Sequence, residues 1–287
     1  MHRPKQLRRD GHVLRQKMTA GDIYTVVGNG RSFSGDGGPP LRAELSDPSG
    51  VSVDGAGDIA FTAVVADVNT SVGLIAARSG TFFGRRLTAD RVYVIGGDGI
   101  GGFRGDGGPA RDARFCISGA APVAFDRSGN LVVADGCDNR VRLIAVRSGR
   151  FYGRAMIAGD VYTIAGTGGP GFGGDGGPAV KAGHKDPSGV AVDHHGNVLI
   201  ADFANHRVRV IATATGTFYG RKMTADRIYT IAGDGRPPFG CRSGPALRRV
   251  MWVGLRLGEA GEQQGVSGDG RCGPGEEAPE GMGAVPG

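Results

Sequence analysis

The chain has 287 residues, 55 of them glycine, with 39% hydrophobic residues and a formal net charge of +6 at pH 7. No apolar run reaches the roughly eighteen residues of a membrane-spanning helix. The basic opening Met1–Arg9 leads into no apolar stretch of the kind a secretory signal carries, so the sequence sets no compartment, and a truncated N-terminus would leave a secreted or cell-surface location open. Residues 1–17 are basic and residues 258–287 acidic, which leaves the body with a modest positive excess that an anionic partner would suit but does not need.

In chain order, a basic, non-repeating segment covers 1–17. Within it Gly11–Lys17 stands where later stretches carry Gly-Thr-Phe-Tyr-Gly-Arg-Lys. A motif of the form Met-Thr-Ala-Gly-Asp-Ile-Tyr-Thr-Val-Val-Gly then begins at Met18 and returns at Leu87, Met156 and Met223, in steps of 69, 69 and 67 residues. Self-similarity at a fixed period means one structural unit copied along the chain. The units run over approximately 18–86, 87–155 and 156–222, and another starts at 223.

The first copy keeps Val51–Asp54 and Gly57 but carries about four extra residues before Ala66–Asp67, and predicts a bulged middle hairpin. The second copy holds Pro122–Asp126, Asn130–Asp135, Asn139–Ile144 and Val161–Ala165. The third is the clearest. Gly189–Asp193 and Val198–Asp202 are short apolar runs closed by turns at 194–197 and 203–206. Arg207–Ala212 alternates charged and apolar residues, and Arg227–Ala232 follows the hairpin Thr215–Gly220. Each copy therefore predicts four antiparallel strands joined by Gly/Asn/Asp turns. Tandem four-stranded units, most apolar first, define an all-β fold: a β-propeller of four-stranded antiparallel blades, with three recognisable blades and an incomplete ring. Ile23–Val27 reads as an orphan outer strand with no inner three before it.

Beyond residue 236 the pattern fails. Residues 237–287 are rich in Gly, Glu and Pro, a composition of disorder, and Arg249–Leu257 alone could form a strand. The expectation is a chain truncated or out of frame at both ends. The alternatives are an open arc that completes its ring by self-association, or a divergent fourth blade.

Gly189-Val-Ala-Val-Asp, Gly196-Asn-Val-Leu-Ile-Ala-Asp and Asn205-His-Arg-Val-Arg-Val resemble the NHL repeat. The inserts Gly35–Pro39, Gly105–Pro109 and Gly174–Pro178 are similar to those of bacterial teneurin-like NHL propellers. The resemblance spans about 18–236 and implies a binding platform. It speaks for the fold more than for the function, since a propeller's activity resides in sites grafted onto it.

Candidate sites each carry two readings. Asp36, Asp106 and Asp175 in the Gly-Asp-Gly-Gly-Pro loops suit either a calcium or anion site or structural turns whose carboxylate caps backbone N–H groups. One carboxylate per loop favours the turn. Asp135, Asn139 and Arg140, with Asp202, Asn205 and Arg207, lie in second-to-third-strand turns on the usual ligand face of a propeller. They either contact a partner's phosphate or carboxylate groups or pair with each other and fix the hairpins. Phe82-Phe83-Gly-Arg85, Phe151-Tyr152-Gly-Arg154 and Phe218-Tyr219-Gly-Arg221 could stack on bases or pack on the next blade; nucleic acid is the weaker reading. Cys116 and Cys137 fall at the same end of one strand pair, within bridging distance, either as a disulfide or as two buried thiols; Cys241 and Cys272 support no reading.

Some propellers resembling this one are lyases or lactonases whose metal ligands line the central channel. The channel-facing candidates here, Ser52, Ala124 and Ala191, can neither hold a metal nor move a proton, and four of the six histidines (His184, His194, His195, His206) crowd one blade. The sequence therefore predicts no cofactor, no metal site and no catalytic residues. It predicts a non-enzymatic NHL-type scaffold for a protein or extracellular ligand. A fragment of a streptogramin-lyase-like or lactonase-like enzyme is the alternative, and an RNA-binding propeller the second.

Overall fold

The computed structural model describes residues 12–13, 16–19, 21–29, 35–65, 69–117 and 122–236. Three four-stranded antiparallel sheets carry the fold, and no α-helix occurs among the described residues. The first sheet holds Ser46–Val53, Ile59–Val65, Asn69–Ala76 and Arg91–Gly96. The second holds Val123–Phe125, Leu131–Asp135, Arg140–Ile144 and Val161–Ala165. The third holds Pro187–Val192, Val198–Asp202, Arg207–Ile211 and Ile228–Ala232. Each sheet is a meander in chain order, with a two-stranded hairpin inserted between its third and fourth strands.

The repeat's signature residues are its turn chemistry. Asp54, Asp126 and Asp193 end the inner strands, and each carboxylate accepts the N–H groups two and four residues on. This Asx geometry closes the turn, and Gly57, Gly129 and Gly196 inside it have φ of 92°, 84° and 90°, a region open to glycine. Asn130 and Asn197 then reach across to the N–H of Val146 and Thr213 beyond the third strand. The tyrosine of the Thr-Ala-Asp-Arg-Val-Tyr motif accepts a backbone N–H five residues before it: Tyr93 from Thr88, Tyr162 from Ile157, Tyr229 from Thr224. Tyr24 does the same for Thr19.

The sheets stack as blades. One apolar cluster joins Ala60, Val72, Leu74, Tyr93 and Ile95 of the first blade to Phe115, Val123, Leu131, Val133, Ile144 and Val161 of the second. Another joins Ala124, Val132, Ala134, Val141, Leu143 and Ile164 of the second to Val190, Val198, Ile200, Ile211 and Ile228 of the third. Most of these side chains are fully covered. At about 1.5–3 kcal/mol per buried aliphatic side chain, stacking of this kind is the main force holding blade to blade. Between blades the chain runs through the glycine-rich loop into a short 3-10 turn, Pro40–Arg42, Ala110–Asp112 or Ala179–Lys181. The residues leaving the preceding outer strand dock there: Gly97 and Asp98 donate to Ala110 and Ala113, and Gly166 and Thr167 donate to Ala179 and Ala182.

Three expectations need correction. Ile23–Val27 is not a strand. Gly28 and Asn29 do dock on Pro40 and Ala43 as their later counterparts dock, and His12–Val13 pairs with Gln16–Lys17 as the hairpin does in other copies. No described strand lies beside Ile23–Val27, so its backbone has no ladder to join and Ile23 stays exposed. The first blade's middle hairpin is longer rather than bulged, in unbroken register from Ile59↔Ile75 to Val65↔Asn69. The extra residues extend both strands, and the turn at 66–68 lies outside the described residues. Finally, Ser52, Ala124 and Ala191 do not face a channel. Side chains stand perpendicular to a sheet, so Ser52 and Ala124 point toward the following blade: Ala124 is buried against the third blade, and Ser52 Oγ accepts the N–H of Phe125. Ala191 lies on the corresponding face of the third blade, which no described blade follows. The segment 237–287, with the strand expected at Arg249–Leu257, lies outside the described residues, as do residues 1–11.

Candidate functional site

The second-to-third-strand turns and the loops entering the inner strands share one end of the blades. In the third blade Asp202 is fully buried. Its Oδ1 accepts the N–H of Lys185 at 2.9 Å and the Asn205 amide at 2.9 Å, and Oδ2 lies 3.3 Å from His184 Nδ1 and 3.5 Å from Arg209 Nη1. Arg209 is also fully buried. It donates to the carbonyls of Gly183 at 2.6 Å and Gly173 at 2.7 Å and pairs with Asp175 at 3.0 Å. The second blade repeats the arrangement. Asp135 accepts the N–H of Cys116 and faces Arg142 at 3.5 Å, and Arg142 donates to the carbonyls of Arg114 and Arg104 and lies 3.8 Å from Asp106.

The six turn residues thus divide into three pairs. Asp135 and Asp202 are interior struts; they pair with Arg142 and Arg209, not with Arg140 and Arg207, the hairpin partners the sequence suggests. The cause is strand geometry. Arg142 lies two positions beyond Arg140 and so on the same face, but deeper in the sheet. Asn139 ties blades together, donating to the Cys137 and Gly168 carbonyls and accepting the N–H of Asp186. Asn205 likewise donates to the Gly171 carbonyl at 2.8 Å.

Arg140 and Arg207 remain at the surface. Arg140 donates to the carbonyls of Asp138 and Thr167 and lies 3.7 Å from the Phe103 ring centroid. Arg207 donates to those of Asn205 and Asp234 and lies 3.7 Å from the Phe172 centroid. Phe103 and Phe172 are 41% and 47% exposed, and Ile100, in the same loop as Phe103, and Phe203, in the second-to-third-strand turn of the third blade, are also exposed. Two adjacent blades therefore present the same pair, a guanidinium over a partly exposed phenyl ring.

Asp106 and Asp175 anchor outer strands, accepting the N–H of Thr163 and Thr230, as Asp36 accepts that of Val94. Asp36 has no buried arginine to meet. The position of Arg142 and Arg209 is Gly73 in the first blade, and the ring of Phe61 fills the space. Asp36 pairs instead with Arg85 at 3.3 Å and Arg111 at 3.4 Å. Cys116 and Cys137 are joined, with Cα atoms 5.3 Å apart. Among the described residues no three His, Cys, Asp or Glu side chains are grouped to hold a metal. The chain's described helices include none long and apolar enough to cross a membrane.

The buried arginines and their carbonyl clamps went unseen in the sequence, and His184 was noted only as one of four histidines in one blade, not as a neighbour of Asp202. The available signal was the second arginine of Arg-Val-Arg, placed on a strand face whose neighbours are apolar.

Equivalent aspartates respond to pH in opposite senses. Burial pushes the Asp135 carboxyl up to about 7; the Cys116 N–H and Arg142 offset this in part, and Asp138 adds to it. Burial also acts upward on Asp202, but hydrogen bonding from His184, the Lys185 N–H and Asn205 outweighs it and holds the group below its ordinary range. Between its ordinary value near 3.8 and about 7, Asp135 binds more proton in the folded than in the unfolded chain. Its contribution to stability is complete below that window and is lost as pH rises through it. That of Asp202 is present above the ordinary carboxylate value and is lost as pH falls through the depressed one. Urea titrations at pH 5 and pH 8 are expected to show a smaller difference for Asp135→Asn than for the wild-type chain; equal differences would refute the assignment.

The folded class is an all-β, incomplete propeller. A family model for the NHL repeat matches residues 185–211, the first three strands of the third blade. Among solved structures, a structural-genomics protein of unknown function from Bacteroides thetaiotaomicron aligns with 16% identity over 65% of this chain and 36% of its own, with a TM-score of 0.40. A streptogramin B lyase aligns with 13% identity over 66% of this chain and 42% of its own (TM-score 0.35). A calcium-binding protein, regucalcin, from Agrobacterium tumefaciens aligns with 12% identity over 62% and 45% (TM-score 0.34). The chain thus spans less than half the length of each. No curated protein matches it.

Proposed function

We propose that this NHL-type propeller is a non-enzymatic platform that binds a protein partner on its turn face. The observation that carries the reading is the repeated Phe103–Arg140 and Phe172–Arg207 pair, with Ile100 and Phe203 exposed in the loops and turns of the same blades. Exposed aromatic rings beside arginine are the composition enriched at protein interfaces. The rings already stack on their cations and the cations are already tied to backbone carbonyls, so little side-chain entropy is lost on binding. The complementary partner is a segment with apolar side chains beside a carboxylate, which an arginine fork engages in bidentate fashion. Buried Asp135, Asp202, Arg142 and Arg209 hold the loops in place without touching the partner.

A phage-displayed peptide library panned on the full chain tests the reading. Enriched peptides are expected to carry acidic and apolar residues and to lose at least tenfold in affinity for Phe103→Ala/Phe172→Ala. Equal affinity for the variant, or selection of no acidic sequences, would overturn it. If the face held RNA instead, an oligonucleotide would bind with affinity falling steeply as salt rises.

A further inference from the structure

Two blades place a guanidinium of their own beside a glycine of the loop that leaves their outer strand. In the second blade Arg140 donates to the Thr167 carbonyl at 2.9 Å and fills the space at Gly168, where a Cβ would collide with it. In the third, Arg207 donates to the Asp234 carbonyl at 2.9 Å and fills the space at Gly235 in the same way. The corresponding loop of the first blade, 97–99, is held alike. Gly97 docks on Ala110 as Gly166 docks on Ala179, and Gly99 has a φ of 79°, beside 94° at Gly168 and 83° at Gly235. The arginine, however, is absent from the sequence. Ser71 stands opposite Ala63 where Arg140 stands opposite Asp135 and Arg207 opposite Asp202. Serine is too short to reach the loop, and a Cβ on Gly99 would meet nothing within 4 Å. The next position on that face, held by Arg142 and Arg209 in the other blades, is Gly73 under the ring of Phe61 and supplies no cation either.

Ser71, Gly97, Asp98 and Gly99 line an open cavity of about 760 Å³ between the first and second blades. Its charged lining is three aspartates, Asp98, Asp112 and Asp160, and two arginines, Arg85 and Arg111. Both arginines are engaged by Asp36, at 3.3 Å and 3.4 Å. Asp98 pairs with Arg114 at 3.1 Å, and Asp160 accepts the Tyr162 hydroxyl at 3.4 Å. Asp112 is exposed and pairs with no described side chain. At the second contact, where Arg140 supplies the cation, Lys181 holds the place of Asp112 on the 3-10 turn. The unpaired carboxylate thus lies on the cavity from which the internal guanidinium is missing.

We infer that this cavity takes a guanidinium from outside the chain, either a free alkylguanidinium or an arginine side chain of a partner. The planar fork donates to the Asp98 carbonyl, which stands in the place of those of Thr167 and Asp234, and Asp112 balances its charge. This site is independent of the turn-face platform: the peptides sought there are acidic, and the ligand here is a cation.

Calorimetric titration of the full chain with agmatine, and separately with a capped tripeptide carrying a central arginine, tests the site. Saturable binding at millimolar concentration is expected for at least one probe. Tighter binding of the tripeptide assigns the site to a partner's arginine, and equal or tighter binding of agmatine assigns it to a free cation. Butylammonium, a point charge that cannot fork, should bind roughly tenfold more weakly than agmatine, or worse. Ser71→Arg supplies the internal guanidinium and should abolish binding of both probes. Asp112→Lys copies the second contact at an exposed position, so it carries the test if the first variant fails to fold; it should weaken binding about threefold or more. No saturable binding of either probe, equal binding of butylammonium, or unchanged affinity in either folded variant would overturn the inference.

Discussion

Replacing Arg209 by leucine is expected to destabilise the chain by about 3–5 kcal/mol, the cost of leaving a buried charge without its partner. The guanidinium is fully buried between Asp202 and Asp175 and closes onto two loop carbonyls, Gly173 and Gly183. Leucine fills part of the volume but supplies none of the four contacts, and Asp202 keeps its burial. The chain itself contains the control. Where the second and third blades use Val133/Asp135/Arg142 and Ile200/Asp202/Arg209, the first uses Phe61/Ala63/Gly73 at the same paired positions. Phe61 lies over Gly73 so closely that a Cβ there would come within 2.2 Å of the ring. One blade thus solves with an aromatic ring what the others solve with a buried ion pair. Moving the apolar solution into the second blade, as Val133→Phe/Asp135→Ala/Arg142→Gly, is expected to cost several kcal/mol less than Arg142→Gly alone. Urea midpoints of the two variants decide it; equal losses would mean that the arginine's role is not electrostatic.

Reduction of the Cys116–Cys137 bridge is expected to lower stability by about 3 kcal/mol. The bond closes a loop of 21 residues, and the loop-closure relation gives a figure of that size. The bridge also holds the Cys116 N–H on Asp135 and the Cys137 N–H on the Cys116 carbonyl, at 2.7 Å and 3.1 Å. Reduction should therefore loosen the second blade's turn as well as its unfolded-state constraint. Denaturation with and without dithiothreitol, and of Cys116→Ser/Cys137→Ser, measures the effect. An unchanged midpoint would show that the bridge carries no stability.

Repeat, strand number and strand order were legible because each rests on local chemistry. Asp-x-x-Gly turns, the tyrosine that caps its own hairpin and the two-residue alternation are written within ten residues of one another. The proximity of Cys116 and Cys137 was legible for the same reason, since neighbouring antiparallel strands bring them to one end; whether they are joined or remain two buried thiols was not, and the structure shows the bond. What the sequence hid depends on direction in space. Ser52, Ala124 and Ala191 look like channel residues along a strand named as innermost, yet a strand turns its edge to the axis and its side chains to the adjacent blades. The partners of Asp135 and Asp202 were misjudged because the nearer arginine in sequence, Arg140 or Arg207, is anchored outward by carbonyls of the next loop. Phe103 and Phe172 gave no signal at all. They sit in irregular glycine-rich loops, and only the folded loop sets each ring beneath an arginine 37 or 35 positions away.

The most direct test of the account is a hydrogen-exchange footprint of a selected acidic peptide on the full chain. Protection is expected in the loops around Phe103 and Phe172 and in the turns at 136–140 and 203–207, with little change in the hairpins Gly149–Phe151/Arg154–Met156 and Gly216–Phe218/Arg221–Met223. Protection confined to those hairpins would place the binding surface on the outer rim and contradict a turn-face platform.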